Sequence, residues 1–376
     1  MEKVLVTSLF DIKLRYPDSV RWRNAKMYIH LFKYFKELDI FTILFVEPHL
    51  IKYINKYEKL ITIPYNMEDL PAYKLMKNRK MSTVSNGPHL NLEFTSVINS
   101  KIFLLNEARK YIINNYPLNI TRHLIWLDIG IAHVGSIKPK KFNKNIKLHC
   151  NDKIMHVLMI VINKKEILDL KDFLSTSRGN IAAGIMVFPI DKVEWYYNEY
   201  YKIFDISVKD YNLMCCEEQI MAVMVGKYPE EFKHSFCEYA VLKNLKYCNN
   251  SINAVISNVS RCREYGYIDL GMEILNFVLK SISRSRYDVY IKECLDLFYN
   301  GQILSYNTDR NLSYKLGLFI GYLYYNKNEA KSYIDSRYDN IKCNIEFVGL
   351  DLGNKEHFNE EKVLQLDENF LLWRII

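Results

Sequence analysis

The sequence predicts an α/β protein that begins with a mostly parallel, Rossmann-like sheet covered by helices on both faces and continues into a mainly α-helical C-terminal domain. Two observations lead to this prediction. Short, continuously apolar runs alternate with helical stretches through the first 250 residues, as expected for strands buried on both faces. From about Ser251 these runs give way to short helical segments separated by Gly, Asn and Asp turns. We therefore predict two domains, residues 1–250 and 251–376.

The predicted strands of the first domain are short apolar runs bounded by turn residues. They are Val4–Thr7, Phe41–Val46, Leu60–Pro64, His123–Asp128, His156–Ile162 and Gly184–Phe188. The predicted helices between them are Asn24–Leu38, Val97–Asn114 and Asp191–Asp205, the last with Asp191 as its candidate N-cap. In sheets of this kind, ligands bind at the carboxyl ends of the strands.

The second domain is predicted from five helical segments and one late strand. The helices are Val255–Tyr265, Ile268–Ser281, Tyr287–Tyr299, Leu312–Tyr325 and Glu329–Tyr338, and the strand is Cys343–Val348. Their lengths are typical of helix-pair repeats, but they follow no fixed period, so no repeat family is predicted.

Composition excludes several classes of protein. The 376 residues are 49% hydrophobic and 25% charged, which is ordinary for a globular protein and excludes a disordered, collagen-like or coiled-coil chain. The eight cysteines form no Cys-x-x-Cys pair, and the first residues make a poor secretory signal, so we expect a cytoplasmic protein. The longest apolar runs fall short of the ~20 residues that a membrane helix needs.

Positive charge is concentrated in the first part of the chain. Residues 1–150 carry 24 Lys and Arg against 12 Asp and Glu, whereas residues 151–376 carry 27 against 31, so the first part is favoured over the second as the host of an anionic ligand. Residues 129–151 contain no acid and five lysines, which are Lys138, Lys140, Lys141, Lys144 and Lys147. A solvated loop is the simpler interpretation of this run, and peripheral contact with a membrane surface stays open. No fold motif indicates nucleic-acid binding.

The clearest chemical feature is the segment LIWLDIGIAHVG, residues 124–135, where an apolar strand ends in Asp128 and Gly130 follows closely. This places a carboxylate at the edge of a parallel sheet, beside backbone that a ligand can approach. Mg²⁺ and Mn²⁺ prefer carboxylate oxygens and keep positions open for phosphates. The alternative is an Asp that only forms a turn or caps a helix. His133 is a further candidate ligand, or a core histidine.

Small residues mark the start of another predicted strand. Ala182, Ala183 and Gly184 come directly before a β-run, and small side chains there let a cyclic ligand lie against the backbone. Close packing of a helix on the sheet uses the same residue types equally well.

Two acids and an amide begin a predicted helix in the segment CCEEQIMAVMV, residues 215–225. They are Glu217, Glu218 and Gln219. The helix dipole favours acids in a first turn whatever their function. The functional alternative is a general base or a carboxylate that binds sugar hydroxyls.

Six short motifs occur in one order within about residues 4–230, and together they resemble the HtrL/YibB family. They are VTSLFDI (6–12), FVEP (45–48), INSKIFLLNEA (98–108), IWLDIGIAHV (125–134), the Ala-Ala-Gly strand and EEQ (217–219). That family resembles GT-A glycosyltransferases, which have a nucleotide-binding first strand, an Asp-x-Asp strand end, a small-residue sugar strand and an acidic-Gln helix. The resemblance implies a GT-A-like first domain and does not reach the C-terminal domain.

Carried onto this sequence, the resemblance implies several groups of site residues. The nucleotide pocket at the end of the first strand is lined by Thr7, Ser8 and Leu9. The diphosphate faces Lys101, and Asp128 is both the metal ligand and a catalytic residue. The floor of the sugar site is Ala183 and Gly184. The acidic-Gln triplet is Glu217, Glu218 and Gln219, with Glu217 where the pattern has Asp.

One departure from the pattern concerns the metal. Gly130 takes the last position of Asp-x-Asp, so the second metal carboxylate is absent, although Mn²⁺ or Mg²⁺ is still the cofactor that the resemblance implies. If no metal binds, Lys101 and the lysines of residues 138–147 supply the positive charge that a leaving diphosphate needs. Glu217 or Glu218 is the predicted base for the acceptor hydroxyl.

The predicted function is therefore a glycosyltransferase that moves a hexosyl or related sugar from a nucleotide sugar, a UDP-sugar, to a glycan or other hydroxyl acceptor. The alternative is a non-catalytic, degenerate transferase fold that binds a partner through its helical domain. The absent second carboxylate favours this alternative. P-loop, dinucleotide-binding and Gly-x-Ser-x-Gly motifs are absent from the sequence.

Overall fold

The structure is a computed structural model that describes residues 2–17, 24–84, 90–117, 121–131, 138–147, 149–162 and 164–236. The predicted helical domain, residues 251–376, lies outside the described residues together with its helices and its late strand. The division into two domains therefore stays a prediction.

The strands of the described part form one large sheet and one small one. The strands are β1 (Lys3–Leu9), β2 (Phe41–Val46), β3 (Leu60–Pro64), β4 (Ser82–Thr83), β5 (His123–Leu127), β6 (Ile154–Leu158), β7 (Ile181–Pro189), β8 (Leu213–Met214) and β9 (Phe232–Phe236). The large sheet has seven strands in the order β3-β2-β1-β5-β7-β6-β9, and β4 pairs with β8 in the small sheet.

The large sheet is mostly parallel, as predicted, with one reversed strand. β3, β2, β1 and β5 run parallel, and β6 is parallel to β9, whereas β7 is antiparallel to both of its neighbours. Leu127, at the end of β5, pairs with Ile185 of β7. The beginning of β7 therefore lies at the edge where the parallel strands end.

The helices of the described part connect the strands. They are α1 (Ile12–Arg15), α2 (Ala25–Leu38), α3 (Pro71–Met76), α4 (Leu92–Asn99), α5 (Lys101–Asn115), α6 (Pro139–Lys147), α7 (Lys164–Ile167), α8 (Leu170–Ser175), α9 (Val193–Lys209) and α10 (Glu217–Lys227). Short 3₁₀ turns lie at Pro48–Tyr53, Met67–Asp69, Ile190–Lys192 and Pro229–Glu231. Within the ranges given above, every helix is too short or too polar to cross a bilayer.

Helices cover both faces of the large sheet, which confirms the predicted fold class for this part of the chain. Phe35 of α2 and Phe142 of α6 belong to one buried cluster with Leu5 of β1 and Ile125 of β5. On the other face, α5 contacts β1 and β5, and α10 contacts β7. Because successive side chains of a strand point to opposite faces, Trp126 lies on the α5 side when Ile125 lies on the α2 side.

Comparison of the predicted and observed strand bounds shows that an apolar run can extend beyond the strand it contains. β2 and β3 have the predicted bounds, but the prediction of a strand at His156–Ile162 is wrong, because β6 spans Ile154–Leu158. The run stays apolar as far as Ile162, with Met159 and Ile160 half-buried and Val161 and Ile162 buried. The backbone N–H groups of Met159 and Ile160 both donate to the carbonyl of Asn180, and this ends the ladder with β7.

Two helix predictions are corrected as well. The stretch Val97–Asn114 is not one helix, because α4 ends at Asn99 and α5 begins at Lys101, although apolar side chains continue across the break. Asp191 is not an N-cap, because it lies inside a 3₁₀ turn and α9 begins at Val193.

A buried histidine between α6 and β6 links the stability of the fold to pH. The side chain of His149 is 3% exposed and its Nδ1 has no hydrogen-bond partner. Burial, together with the charge of Lys233, lowers the pKa of His149 from 6.5 to about 4. Between these two values the unfolded chain takes up a proton at His149 and the folded chain does not, so stability falls as pH falls.

We predict that the free energy of unfolding decreases by up to about 3 kcal/mol from this residue between pH 6.5 and pH 4. Chemical denaturation across this range gives the free energy of unfolding against pH for the natural chain and for a His149→Leu variant. The difference between the two slopes measures the contribution of His149. His30→Leu, at an exposed position of α2, is the matched control. Equal slopes for the natural chain and His149→Leu would contradict the prediction.

Candidate active site

A cleft of about 230 Å³ opens at the carboxyl ends of β1 and β5. Its lining residues are Ser8, Leu9, Phe10, Ile12, Tyr28, Phe94, Val97, Ile98, Lys101, Trp126, Asp128, Ile129, Gly130, Ile131 and Gly184. Five of the predicted site residues are among them, namely Ser8, Leu9, Lys101, Asp128 and Gly184. The walls are otherwise mainly apolar and aromatic, so the few polar groups are set against a hydrophobic lining.

Asp128 follows β5 directly, and its carboxylate accepts hydrogen bonds from within the protein while it remains open to the cleft. Strand alternation places it on the same face as Trp126, whose indole N–H donates to Oδ1 over 2.7 Å. The Lys101 ammonium lies 3.1 Å from both carboxylate oxygens. The side chain of Asp128 nevertheless keeps 36% exposure. The strand end thus presents an oriented, negatively charged group to a ligand.

Lys101 is the first residue of α5, and its ammonium is buried between two carboxylates. It donates to Asp128, to the backbone carbonyl of Ala183 over 3.1 Å and to Oε1 of Glu217 over 2.9 Å. These contacts use all three N–H donors of the ammonium. Burial by itself lowers the pKa of Lys101, but the charges of Asp128 and Glu217 outweigh it and raise that pKa. Lys101 therefore stays charged, and it does not face a diphosphate with a free donor.

Glu217 begins α10, and both of its carboxylate oxygens have partners inside the protein. Oε1 accepts from Lys101, and Oε2 accepts from the Cys216 thiol over 2.9 Å. The side chain is 6% exposed and does not line the cleft. Burial, followed by the negative charge of Glu217, raises the pKa of Cys216. Glu217 therefore contacts Lys101 rather than the open cleft.

The next two residues of α10 bind backbone. Oε1 of the half-buried Glu218 accepts from the N–H of Ala183 over 3.3 Å. Gln219 accepts from the N–H of Cys216 over 2.9 Å and donates to the carbonyl of Leu174 over 2.7 Å. Gln219 thus caps α10 and fastens it to the end of α8.

The remaining predicted site residues lie in different surroundings. Thr7 is fully buried, its hydroxyl has no hydrogen-bond partner, and it does not line the cleft. Ala183 is also fully buried and reaches the site through its backbone. The lysine run is not a loop, because residues 139–147 form α6 with Phe142 and Ile146 buried beneath it. His133 lies outside the described residues.

Asn99 supports the site and was not singled out in the sequence. Its amide donates to the carbonyl of Cys215 over 3.0 Å, and its Oδ1 accepts from the Tyr200 hydroxyl over 2.7 Å. These bonds join the end of α4 to the segment before α10 and so hold Lys101 and Glu217 at one place. The only sequence signal was its position two residues before the lysine in the motif INSK.

Glu47, from the FVEP motif, fixes the chain that follows β1 at the same edge of the sheet. It is buried and accepts from the backbone N–H of Asp11 over 2.5 Å and from Arg15 over 2.8 Å. Its own N–H donates to the carbonyl of Leu9. Glu47 therefore fixes the chain that leaves β1, where Ser8 and Leu9 enter the cleft.

The described residues around Asp128 do not fit a divalent metal ion. Both oxygens of Asp128 already have a hydrogen-bond partner, and one of these partners is the fixed positive charge of Lys101. Gly130 offers no side-chain ligand where the resembled pattern has Asp. Across residues 2–236, apart from the short gaps in the description, no three His, Cys, Asp or Glu side chains are grouped as metal ligands.

Comparison with known proteins gives a family and a structural likeness. The model of the family described as "Bacterial protein of unknown function (HtrL_YibB)" matches residues 9–271. No curated protein matches the chain significantly.

Solved structures similar to this chain include the galactosyltransferase LgtC in complex with donor and acceptor sugar analogues, and an active-site mutant of LgtC. The first has 9% sequence identity and a TM-score of 0.31, over 62% of this chain and 73% of that one. The second has 9% identity and a TM-score of 0.30, over 62% and 72%.

We predict that Lys101→Met destabilises the fold by about 3–5 kcal/mol, because it leaves the buried carboxylate of Glu217 without its partner. Adding Glu217→Gln to that variant removes the unpaired charge and should restore part of the loss. Denaturant titration of the natural chain, both single variants and the double variant gives the coupling energy.

Lys110→Met provides the matched control for this cycle. Lys110 lies on the same helix, is exposed and pairs with Glu107, so its replacement should change stability by only about 0.5 kcal/mol. If the changes in the free energy of unfolding caused by Lys101→Met and Glu217→Gln were additive, Lys101 and Glu217 would not be energetically coupled, and the prediction would be wrong.

Proposed function

This chain belongs to the HtrL_YibB family, and we propose that it is a glycosyltransferase that moves a sugar from a nucleotide-sugar donor to a hydroxyl acceptor. One observation carries the proposal. Asp128 presents an oriented and partly exposed carboxylate to a cleft at the carboxyl edge of a mostly parallel sheet, which is where ligands of such sheets bind. The order of the six motifs in the sequence supports the same function.

The donor proposed for this cleft is a UDP-sugar. Ser8 and Leu9, at the end of β1, would contact the nucleotide, and the aromatic rings of Tyr28 and Phe94 offer flat apolar surfaces for a base. Gly184 lines the cleft without a side chain, so the ring of the sugar could lie close to the backbone of β7. The acceptor proposed is a glycan or another molecule with a free hydroxyl.

The proposed reaction replaces one bond to the anomeric carbon by another. The acceptor oxygen attacks that carbon and passes its proton to a carboxylate, while the bond between the carbon and the phosphate oxygen breaks and the nucleoside diphosphate leaves with the electron pair. Positive charge develops on the sugar, and the carboxylate of Asp128 would stabilise it. Lys101 in the cleft wall would stabilise the negative charge of the leaving diphosphate.

The three proposed catalytic carboxylates differ in what they contact. Glu217 has both oxygens engaged and would act by positioning Lys101. Glu218 is half-buried and binds the backbone of Ala183, and Asp128 alone of the three lines the cleft. We therefore assign contact with the reacting sugar to Asp128, and of the two predicted bases we keep Glu218.

A non-catalytic binding module is the second candidate function. Two of the three residues in the acidic-Gln triplet, Glu217 and Gln219, use their polar atoms in hydrogen bonds and an ion pair within the protein. A domain that only binds a partner would need these residues for packing alone. Calorimetry with a panel of nucleotide sugars separates the two functions, because a scaffold should give no heat with any of them.

We propose a cytoplasmic location from the scattered cysteines of the sequence. In the described part Cys150, Cys215 and Cys216 are free thiols. The lysines of α6 are exposed and would be the surface for any peripheral contact with an anionic membrane.

We predict that Asp128→Asn lowers the rate of sugar transfer by about 100-fold or more, because the variant loses the negative charge that faces the sugar. Release of UDP from UDP-sugars in the presence of hydroxyl acceptors measures the rate, and thermal denaturation checks the fold. Asp152→Asn, at an exposed site away from the cleft, is the matched control. Undiminished transfer by Asp128→Asn would refute the assignment of the site.

A further inference from the structure

We infer that the ammonium of Lys101 occupies the position that a divalent cation would take at this sheet edge, so that the proposed sugar transfer proceeds without a metal ion. The inference rests on the proposed function for its catalytic part. Its structural part, the identity of the cation at Asp128, stands on contacts within the protein alone.

The atoms around the ammonium form an oxygen cage of the kind that hard cations prefer. The Lys101 nitrogen lies 3.1 Å from both oxygens of Asp128, 2.9 Å from Oε1 of Glu217 and 3.1 Å from the carbonyl oxygen of Ala183. Carboxylate and carbonyl oxygens are the ligands of Mg²⁺, Mn²⁺ and Ca²⁺ in proteins. Here the same ligand types surround a lysine.

Among the described residues around Asp128, a second cation has no suitable place beside this one. The ammonium contacts both oxygens of Asp128, and the indole of Trp126 also donates to Oδ1. A metal bound to Asp128 would therefore lie a few ångströms from the buried ammonium of Lys101, and water screens a buried charge only weakly. Gly130 supplies no further ligand to compensate for that repulsion.

The fold fixes the position of the Lys101 ammonium. Lys101 is 6% exposed at the start of α5, and Asn99 binds the segment that precedes α10. Glu217 is the first residue of α10. Because its three N–H groups are all engaged, Lys101 would act on a leaving diphosphate through its charge rather than through an additional hydrogen bond. A fixed charge needs no reorganisation while the bond to the sugar breaks.

Binding of Mn²⁺ alone to the full-length chain tests the position of the cation. Electron paramagnetic resonance counts free Mn²⁺ in titrations of the natural chain, Lys101→Ala, the double variant Lys101→Ala/Asp128→Asn and the surface control Lys110→Ala. We expect no stoichiometric binding by the natural chain or by Lys110→Ala. Lys101→Ala leaves two carboxylates and a carbonyl around the position of the removed ammonium. This variant should bind one Mn²⁺ at least about tenfold more tightly than the natural chain does. The double variant should lose that gain.

Thermal denaturation covers the case in which Lys101→Ala is too unstable to titrate. Mn²⁺ should then raise its melting temperature and leave those of the natural chain and the double variant unchanged. A Lys101→Ala chain that Mn²⁺ neither binds nor stabilises overturns the inference. One Mn²⁺ bound to the natural chain and lost on Asp128→Asn overturns it as well.

Transfer assays test the catalytic part separately. EDTA should leave the rate of the natural chain unchanged, and loss of transfer in EDTA with recovery in Mn²⁺ would refute a metal-free reaction. If no nucleotide sugar reacts or gives heat, the proposed function fails with the catalytic part of the inference. The Mn²⁺ titrations still decide which cation belongs at Asp128.

Discussion

The structure depends on a buried ammonium shared by elements that are distant in sequence. Lys101 begins α5, Asp128 directly follows β5, Ala183 belongs to β7 and Glu217 begins α10. Burying the charge of Lys101 or of Glu217 alone would be costly, and each is acceptable only while its partner is in place. The same contacts therefore assemble the sheet edge and decide which charged group the cleft presents to a ligand.

The sheet was predictable because buried parallel strands are continuous apolar runs, and β2 and β3 have the predicted bounds for that reason. The same rule misplaced β6, since an apolar run continues to Ile162 after the ladder has ended at Leu158. The break between α4 and α5 was missed because helical periodicity continues across Ser100. The reversed direction of β7 has no sequence signal, because a strand buried on both faces reads the same in either direction.

Residue identities at the site were more predictable than their roles. Asp128 was found from a local pattern, a strand that ends in an acid beside a glycine, and it lines the cleft. Lys101 and Glu217 were also singled out, but their contact joins positions far apart in the chain and depends on how α5 and α10 pack. A role that depends on such a contact cannot be read from spacing. Thr7 shows the converse, since a residue next to cleft-lining Ser8 points into the interior.

The reversal of β7 has a consequence for how this sheet can vary over evolution. The strand is enclosed between β5 and β6, and Gly179 turns into it with a positive φ of 60°. Inserting a single residue into β7 before Ala183 would exchange the faces of the residues that follow it and shift Ala183 and Gly184 relative to β5. The length of this inner strand is therefore constrained by its neighbours, whereas a longer connection at the outside of the sheet, such as the one between β2 and β3, would leave the register of β7 unchanged.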